Sequence, residues 1–161
     1  MNRLLILPVL LLTLLVGTPA FSADFQKGLG AYNSGDYATA LREWEPLAEQ
    51  GDVDAQFSLG AMYADGEGVP QDYKTAVKWY KLAAEQGDVD AQSNLGVMYS
   101  KGQGVPQDYV YAHMWLNIAA SSGAKYAISG RDVISTRMTP SQLEKAQDLA
   151  RECVAKNYKG C

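Results

Sequence analysis

The sequence is poor in the residues that most often carry chemistry. Its 161 residues hold one histidine and two cysteines, too few to assemble a transition-metal site. The histidine, His113, has no cysteine or second histidine beside it, and no nucleophile is set at hand for it to activate. It follows Ala112 and precedes Trp115 by two positions, which places it off the buried stripe, partly exposed and idle. Lys and Arg number 14 against 18 Asp and Glu, a formal net charge of −4. Without basic clusters the chain gains nothing from counterion release on a phosphate backbone, and it has no patch for an anionic membrane surface. The alternating pattern of a half-buried strand is missing throughout. No cofactor is expected.

The N-terminal stretch is of another kind. Arg3 precedes an apolar run from Leu4 to Val16, followed by Gly17, Thr18, Pro19, Ala20, Phe21, Ser22 and Ala23. Charge, short apolar core and small residues in that order predict a secretory signal peptide over 1–23, cut between Ala20 and Ala23. The run falls short of the ~20 residues of a bilayer-spanning helix, and Pro8 interrupts it. An uncleaved anchor is the alternative, and no cysteine near the cut offers a lipid attachment point. The mature chain, from about Asp24, suffices for one compact domain. Export to the periplasm is expected, with a reducing compartment left behind. Cys153 and Cys161, both close to the C-terminus, can then form a bridge that pins the tail to the last helix. Loop entropy gives such a ring roughly 2–3 kcal/mol. Two reduced thiols, or bridges between chains, are the competing states.

What the chain does have is a repeat. The run DAQFSLGAMY from Asp54 to Tyr63 returns as DAQSNLGVMY from Asp90 to Tyr99. The offset of about 36 residues lies in the range of helical solenoids. The same step carries Gly66 to Gly102, Gly68 to Gly104, VPQDY at Val69 to VPQDY at Val105, Ala76 to Ala112, Trp79 to Trp115 and Gly87 to Gly123. Upstream, Gly35, Asp36, Tyr37, Ala40, Leu47 and Ala48 match the second half of the unit across a shorter connection. Downstream, Ala127 falls where another unit would begin and the pattern then decays, as in a capping element.

Each unit reads as two helices. Leu59, Met62 and Tyr63 share one stripe of the first. Gly60 and Gly96 stand mid-helix, where glycine costs about 1 kcal/mol relative to alanine, so a close approach by the partner helix is expected. Asp72 and Asp108 open the second helix as N-caps, and Gly51, Gly87 and Gly123 end it. Thr139, Pro140 and Gln142 announce the last helix with a capping box and proline at its first position. The expectation is an all-α fold of eight helices in about four antiparallel pairs, stacked as a right-handed α-solenoid.

The motifs Leu-Gly-x-Met-Tyr, Gly-x-Gly-Val-Pro-Gln-Asp-Tyr, Ala-x-x-Trp and Ala-Ala-x-x-Gly resemble the Sel1-like repeat signature, a relative of the tetratricopeptide repeat. Two full copies occupy 52–87 and 88–123. The shorter unit in 24–51 is more similar to a plain tetratricopeptide motif, and 124–161 is expected to form capping helices. The resemblance implies a concave surface, lined by the first helix of each pair, that receives a segment of another protein.

On that reading the solvent-side residues of the first helices are the candidate protein-binding positions: Asp54, Phe57 and Ala61 in one copy, Asp90, Ser93, Val97 and Ser100 in the next. Phe57 opposite Ser93 is expected where a ligand, rather than the scaffold, sets the residue, with ordinary surface variation as the alternative. The loop with Asp65, Glu67 and Asp72 could pass for a calcium loop, but it lacks the closing glutamate, and Asp65 and Glu67 become Lys101 and Gln103 in the second copy. Trp79, Trp115 and the tyrosines are read as packing, with Trp44 displaced onto the face of Tyr80 and Leu116. Ser122 and Lys125 have Ser-x-x-Lys spacing without the elements that accompany it in β-lactam-acting enzymes. A non-enzymatic adaptor or regulator is therefore expected. A cell-wall or β-lactam hydrolase and a self-associating envelope subunit are the alternatives.

Overall fold

The computed structural model describes residues 23–161; all of the expected leader before Ala23 lies outside the described residues. Eight α-helices follow in order: α1 Phe25–Asn33, α2 Tyr37–Glu49, α3 Val53–Asp65, α4 Tyr73–Ala84, α5 Val89–Lys101, α6 Tyr109–Ser121, α7 Lys125–Ser135 and α8 Pro140–Ala155. No strand occurs among the described residues. The fold is an all-α solenoid.

Local chemistry explains where the helices start. α1 to α6 all begin at an aspartate whose carboxylate accepts backbone N–H bonds of the first turn: Asp24, Asp36, Asp52, Asp72, Asp88 and Asp108. A cap of this kind contributes about 1 kcal/mol. α8 starts with the expected capping box between Thr139 and Gln142, and with Pro140 at its first position. Only α7 begins without a side-chain cap, at Ala124.

The pairs meet where side chains vanish. A Cβ added to Gly60 would lie 2.6 Å from the Tyr80 ring, and one added to Gly96 would lie 2.5 Å from Leu116 Cγ. Both glycines therefore mark the expected close approach. The first pair repeats the device at Gly28, where a Cβ would come within 2.4 Å of Trp44 Nε1. Trp44, Tyr80 and Leu116 are buried at equivalent positions of the second helices, the shared face expected for Trp44. Gln56 and Gln92 are buried as well, and their side-chain amides donate to Ala48 O at 3.0 Å and Ala84 O at 3.2 Å. Each adds a second donor to a carbonyl at the end of the preceding helix, which also accepts from the Gly51 or Gly87 N–H at 3.1 and 3.0 Å.

Three apolar clusters run along the stack: α1 to α3, then α4 to α6 with α8, then α6 with α7. The C-terminal half departs from simple pairing. α7 and α8 both pack on α6, and α8 does not form a hairpin pair with α7. At the positions where α3 and α5 present Leu59–Gly60 and Leu95–Gly96 to their partners, α7 carries Arg131 and Asp132, an ion pair at 2.8 Å. Charges there cannot seat a partner helix. α8 instead delivers Ala150 and Cys153 to the cluster around Trp115 and Ile118.

Enclosure of α6 on three sides corrects the expectation for His113. It is 2% exposed, and its Nδ1 has no hydrogen-bond partner among the described residues. Trp115 is buried as expected, whereas Trp79 is half-buried, with the Lys78 ammonium 5.5 Å from its ring centroid. Cys153 and Cys161 form the expected intramolecular disulfide, with Cα atoms 5.7 Å apart. The ring turns the chain back through Asn157 and Tyr158, both at positive φ, and packs Tyr158 against the central cluster.

Candidate functional site

The first helices α1, α3, α5 and α7 lie in sequence along one face, and hollows open between them. Leu29, Tyr32, Trp44, Phe57 and Ala61 surround about 200 Å³ between α1 and α3. Between α3 and α5 a hollow of about 500 Å³ has Tyr73 and Tyr80 among its walls, with Asp65, Asn94, Lys101 and Gln103. Between α5 and α7, Val97, Leu116, Val133 and Ile134 line about 390 Å³. Neighbouring hollows share walls: Phe57 and Ala61 belong to the first and second, Val97 and Lys101 to the second and third. They form one track. Its spine is the column Leu29, Ala61, Val97 and Val133, one residue from each first helix.

The middle of the track is electrically marked. Asp65 closes α3 and Lys101 closes α5, at equivalent points of the two copies, and both are exposed. Tyr32 donates its hydroxyl to the Glu67 carboxylate, tying α1 to the loop after α3. That bond, followed by burial and the charges of Glu67 and Asp65, pushes the Tyr32 phenol up to about 12. Burial, then the Asp65 charge, raises Tyr80 above the usual tyrosine value. The carboxylate of Asp65 therefore bears on the tyrosine wall of the middle hollow. The loops that follow are held by their own amides: Gln71 Nε2 donates to Ala64 O and Gln107 Nε2 to Ser100 O, each at 2.7 Å.

The family model of the Sel1 repeat matches residues 53–88 and 89–123, the two units that build α3 to α6. The chain is a Sel1-like repeat protein. Solved structures agree. A protective antigen of uropathogenic Escherichia coli strains displaying an SLR fold superposes with a TM-score of 0.77 at 30% identity, over 81% of this chain and 29% of that one. A Sel1 repeat protein from Oxalobacter formigenes gives 0.69 at 28% identity, over 83% of this chain and 56% of that one. The chain thus spans under a third of the first relative and little more than half of the second. No curated protein matches it in sequence. Sel1-like repeats generally mediate protein–protein interaction.

Within the Sel1-like frame, the candidate residues separate. Ala61 and Val97 stand on the spine of the track, and Ser100 lines the α5–α7 hollow. Phe57 walls two hollows but is half-buried, its ring 5.7 Å from that of Tyr80. Asp54 is exposed at the start of α3, outside the hollows. Asp90 accepts the Tyr126 hydroxyl at 2.9 Å, which ties α5 to α7. Ser93 is a correction: expected on the solvent side, it is 0% exposed and donates to Val89 O at 2.8 Å. The scaffold sets the difference between Phe57 and Ser93. Phe25 stacks on Trp44 and Phe57 leans on Tyr80, but opposite Leu116 the first helix carries the small Ser93.

Sequence reasoning passed over Leu29, Tyr32 and Val133, and it weighed Asp65 and Lys101 only as parts of a calcium-type loop. The signal for Val133 was present, because one further repeat step from Ala61 and Val97 reaches it. Leu29 joins the column only through the structural match of Gly28 against Trp44 with Gly60 against Tyr80.

Proposed function

We propose that this Sel1-like repeat protein is an exported, periplasmic adaptor or regulator that holds a segment of another polypeptide along the first-helix track. The observation that carries the reading is the continuity of the three hollows along Leu29, Ala61, Val97 and Val133. Elsewhere the repeat fills its own seams: glycines admit Trp44, Tyr80 and Leu116 between the pairs. Along the track it leaves small and apolar side chains facing open space. Such a surface suits a guest chain that brings the missing side chains.

The test is a pair of arginine substitutions combined with crosslinking in the native host. Val97→Arg puts a bulky charge at the wall shared by two hollows and should abolish the crosslinked partner, with helicity and Tm nearly unchanged. Leu82→Arg, on an exposed position of a second helix, should leave the partner in place. Equal loss, or no loss, in both variants would defeat the reading. Fractionation by osmotic shock, with N-terminal sequencing of the released protein, checks export. Recovery in the cytoplasm with Met1 intact would rule it out.

A further inference from the structure

The track is not uniform, and its order of chemistry specifies its guest. Its two ends are apolar: Leu29 and Trp44 face the α1–α3 hollow, while Leu116, Val133 and Ile134 face the α5–α7 hollow. The middle is polar, with Asp65 on the α3 side and Lys101 on the α5 side. Asn94 and Gln103 add side-chain amides there, and neither amide makes a hydrogen bond among the described residues. An amide offers a donor and an acceptor at once. A helical guest has already paired its backbone within itself, whereas an extended guest presents N–H and C=O groups that need such partners.

We infer that the guest is an extended segment with an apolar anchor at each end, a basic residue facing Asp65 and an acidic residue facing Lys101. Read from α1 to α7, its order is apolar, basic, acidic, apolar. Neighbouring first helices lie about 10 Å apart, so the outer hollows are roughly 20 Å apart, or about six residues of extended chain. The two charges fall between the anchors. Charge order sets the direction in which the segment lies, because reversing it would bring like charges together at both positions. The scaffold leaves this choice free: Asp65 and Lys101 occupy equivalent sites at the ends of α3 and α5, so either residue type is compatible with the repeat.

This inference rests on the proposed function, and one experiment separates the two. A display library of random linear peptides is selected on the purified protein and on the exchange variant Asp65→Lys with Lys101→Asp. The parent protein should enrich peptides with two apolar positions about six residues apart, enclosing a basic and an acidic residue in fixed order. The exchange variant should enrich the opposite charge order and bind the parent's best peptide roughly tenfold more weakly, the scale of two reversed exposed charge pairs. Enrichment unaffected by the exchange, or of peptides with apolar residues at helical spacing, overturns the inference and leaves the track as a binding surface. If no peptide enriches, or those that do bind Val97→Arg equally well, the proposed function fails too.

Discussion

Six aspartates, Asp24, Asp36, Asp52, Asp72, Asp88 and Asp108, cap six successive helices, so much of the acidic excess serves helix starts. Other single residues are set by what they touch. Gly104 has φ +72°, and a Cβ there would lie 2.2 Å from the Tyr73 carbonyl oxygen at the start of α4. Gly104→Ala should cost about 3 kcal/mol or more, because a helix must shift to admit the methyl. Gly123, at φ +85° with nothing within 4 Å, should cost only about 1–2 kcal/mol on the same change. Urea titration of both variants checks the difference. Phe57→Asp should lower Tm as well as weaken capture, since the ring is part of the Tyr80 contact. Burial, then the Arg131 charge, holds His113 below its usual 6.5, with Asp132 opposing. The folded protein therefore takes up this proton less readily than the unfolded chain. The stabilisation is complete above pH 6.5 and is lost as pH falls through the lower folded value. Tm should decline across that window, and His113→Leu should flatten the decline. Glu43 acts lower on the scale: Lys27 and the Asp24 N–H hold it below 4.5 against burial, so its contribution is lost only at more acid pH.

At the scale of elements, α6 decides the C-terminal half. Its residues from Ala112 to Leu116 are all buried, because α5, α7 and α8 enclose it. Its composition already hinted at this: from Tyr109 to Ala120 only His113 and Asn117 interrupt an apolar run, which is the pattern of a helix buried all round. The start of every helix but α7 could be read from capping residues, since those bonds are local. The docking of α8 on α6 could not, since nothing in residues 140–155 names the helix they will meet. The disulfide pins the tail after α8 back onto that helix and holds Tyr158 against the central cluster. Cys161→Ser should lower stability by roughly 2–3 kcal/mol, the loop-entropy value for so small a ring. The release should show as faster proteolysis after residue 155, and an unchanged denaturation midpoint would refute it.

Across the whole molecule, stability should follow position in the stack. Terminal units of a solenoid rest on one neighbour, and central ones on two. Amide exchange is therefore expected to be slowest in α5 and α6 and fastest in α1 and α7, as hydrogen-exchange mass spectrometry would read it. Uniform protection from α1 to α8 would mean that the three clusters open as one. The track belongs to this scale as well, because no single repeat contains it. Ala61 and Val97 were legible as candidates because they recur at the repeat step. Leu29 and Val133 were hidden in units whose motifs had decayed, and Ser93 looked exposed because one helix alone cannot show that its neighbours cover it.

The amino-acid order by itself determined the helices, their caps, the glycine contacts and the repeat step, all of which depend on bonds and spacings local in the chain. Tertiary structure alone decided that His113 and Ser93 are buried, that α7 and α8 share α6 instead of pairing, and that three hollows join into one track. Those outcomes depend on which surfaces meet across many residues, and a surface is buried or open only when its neighbours have been placed.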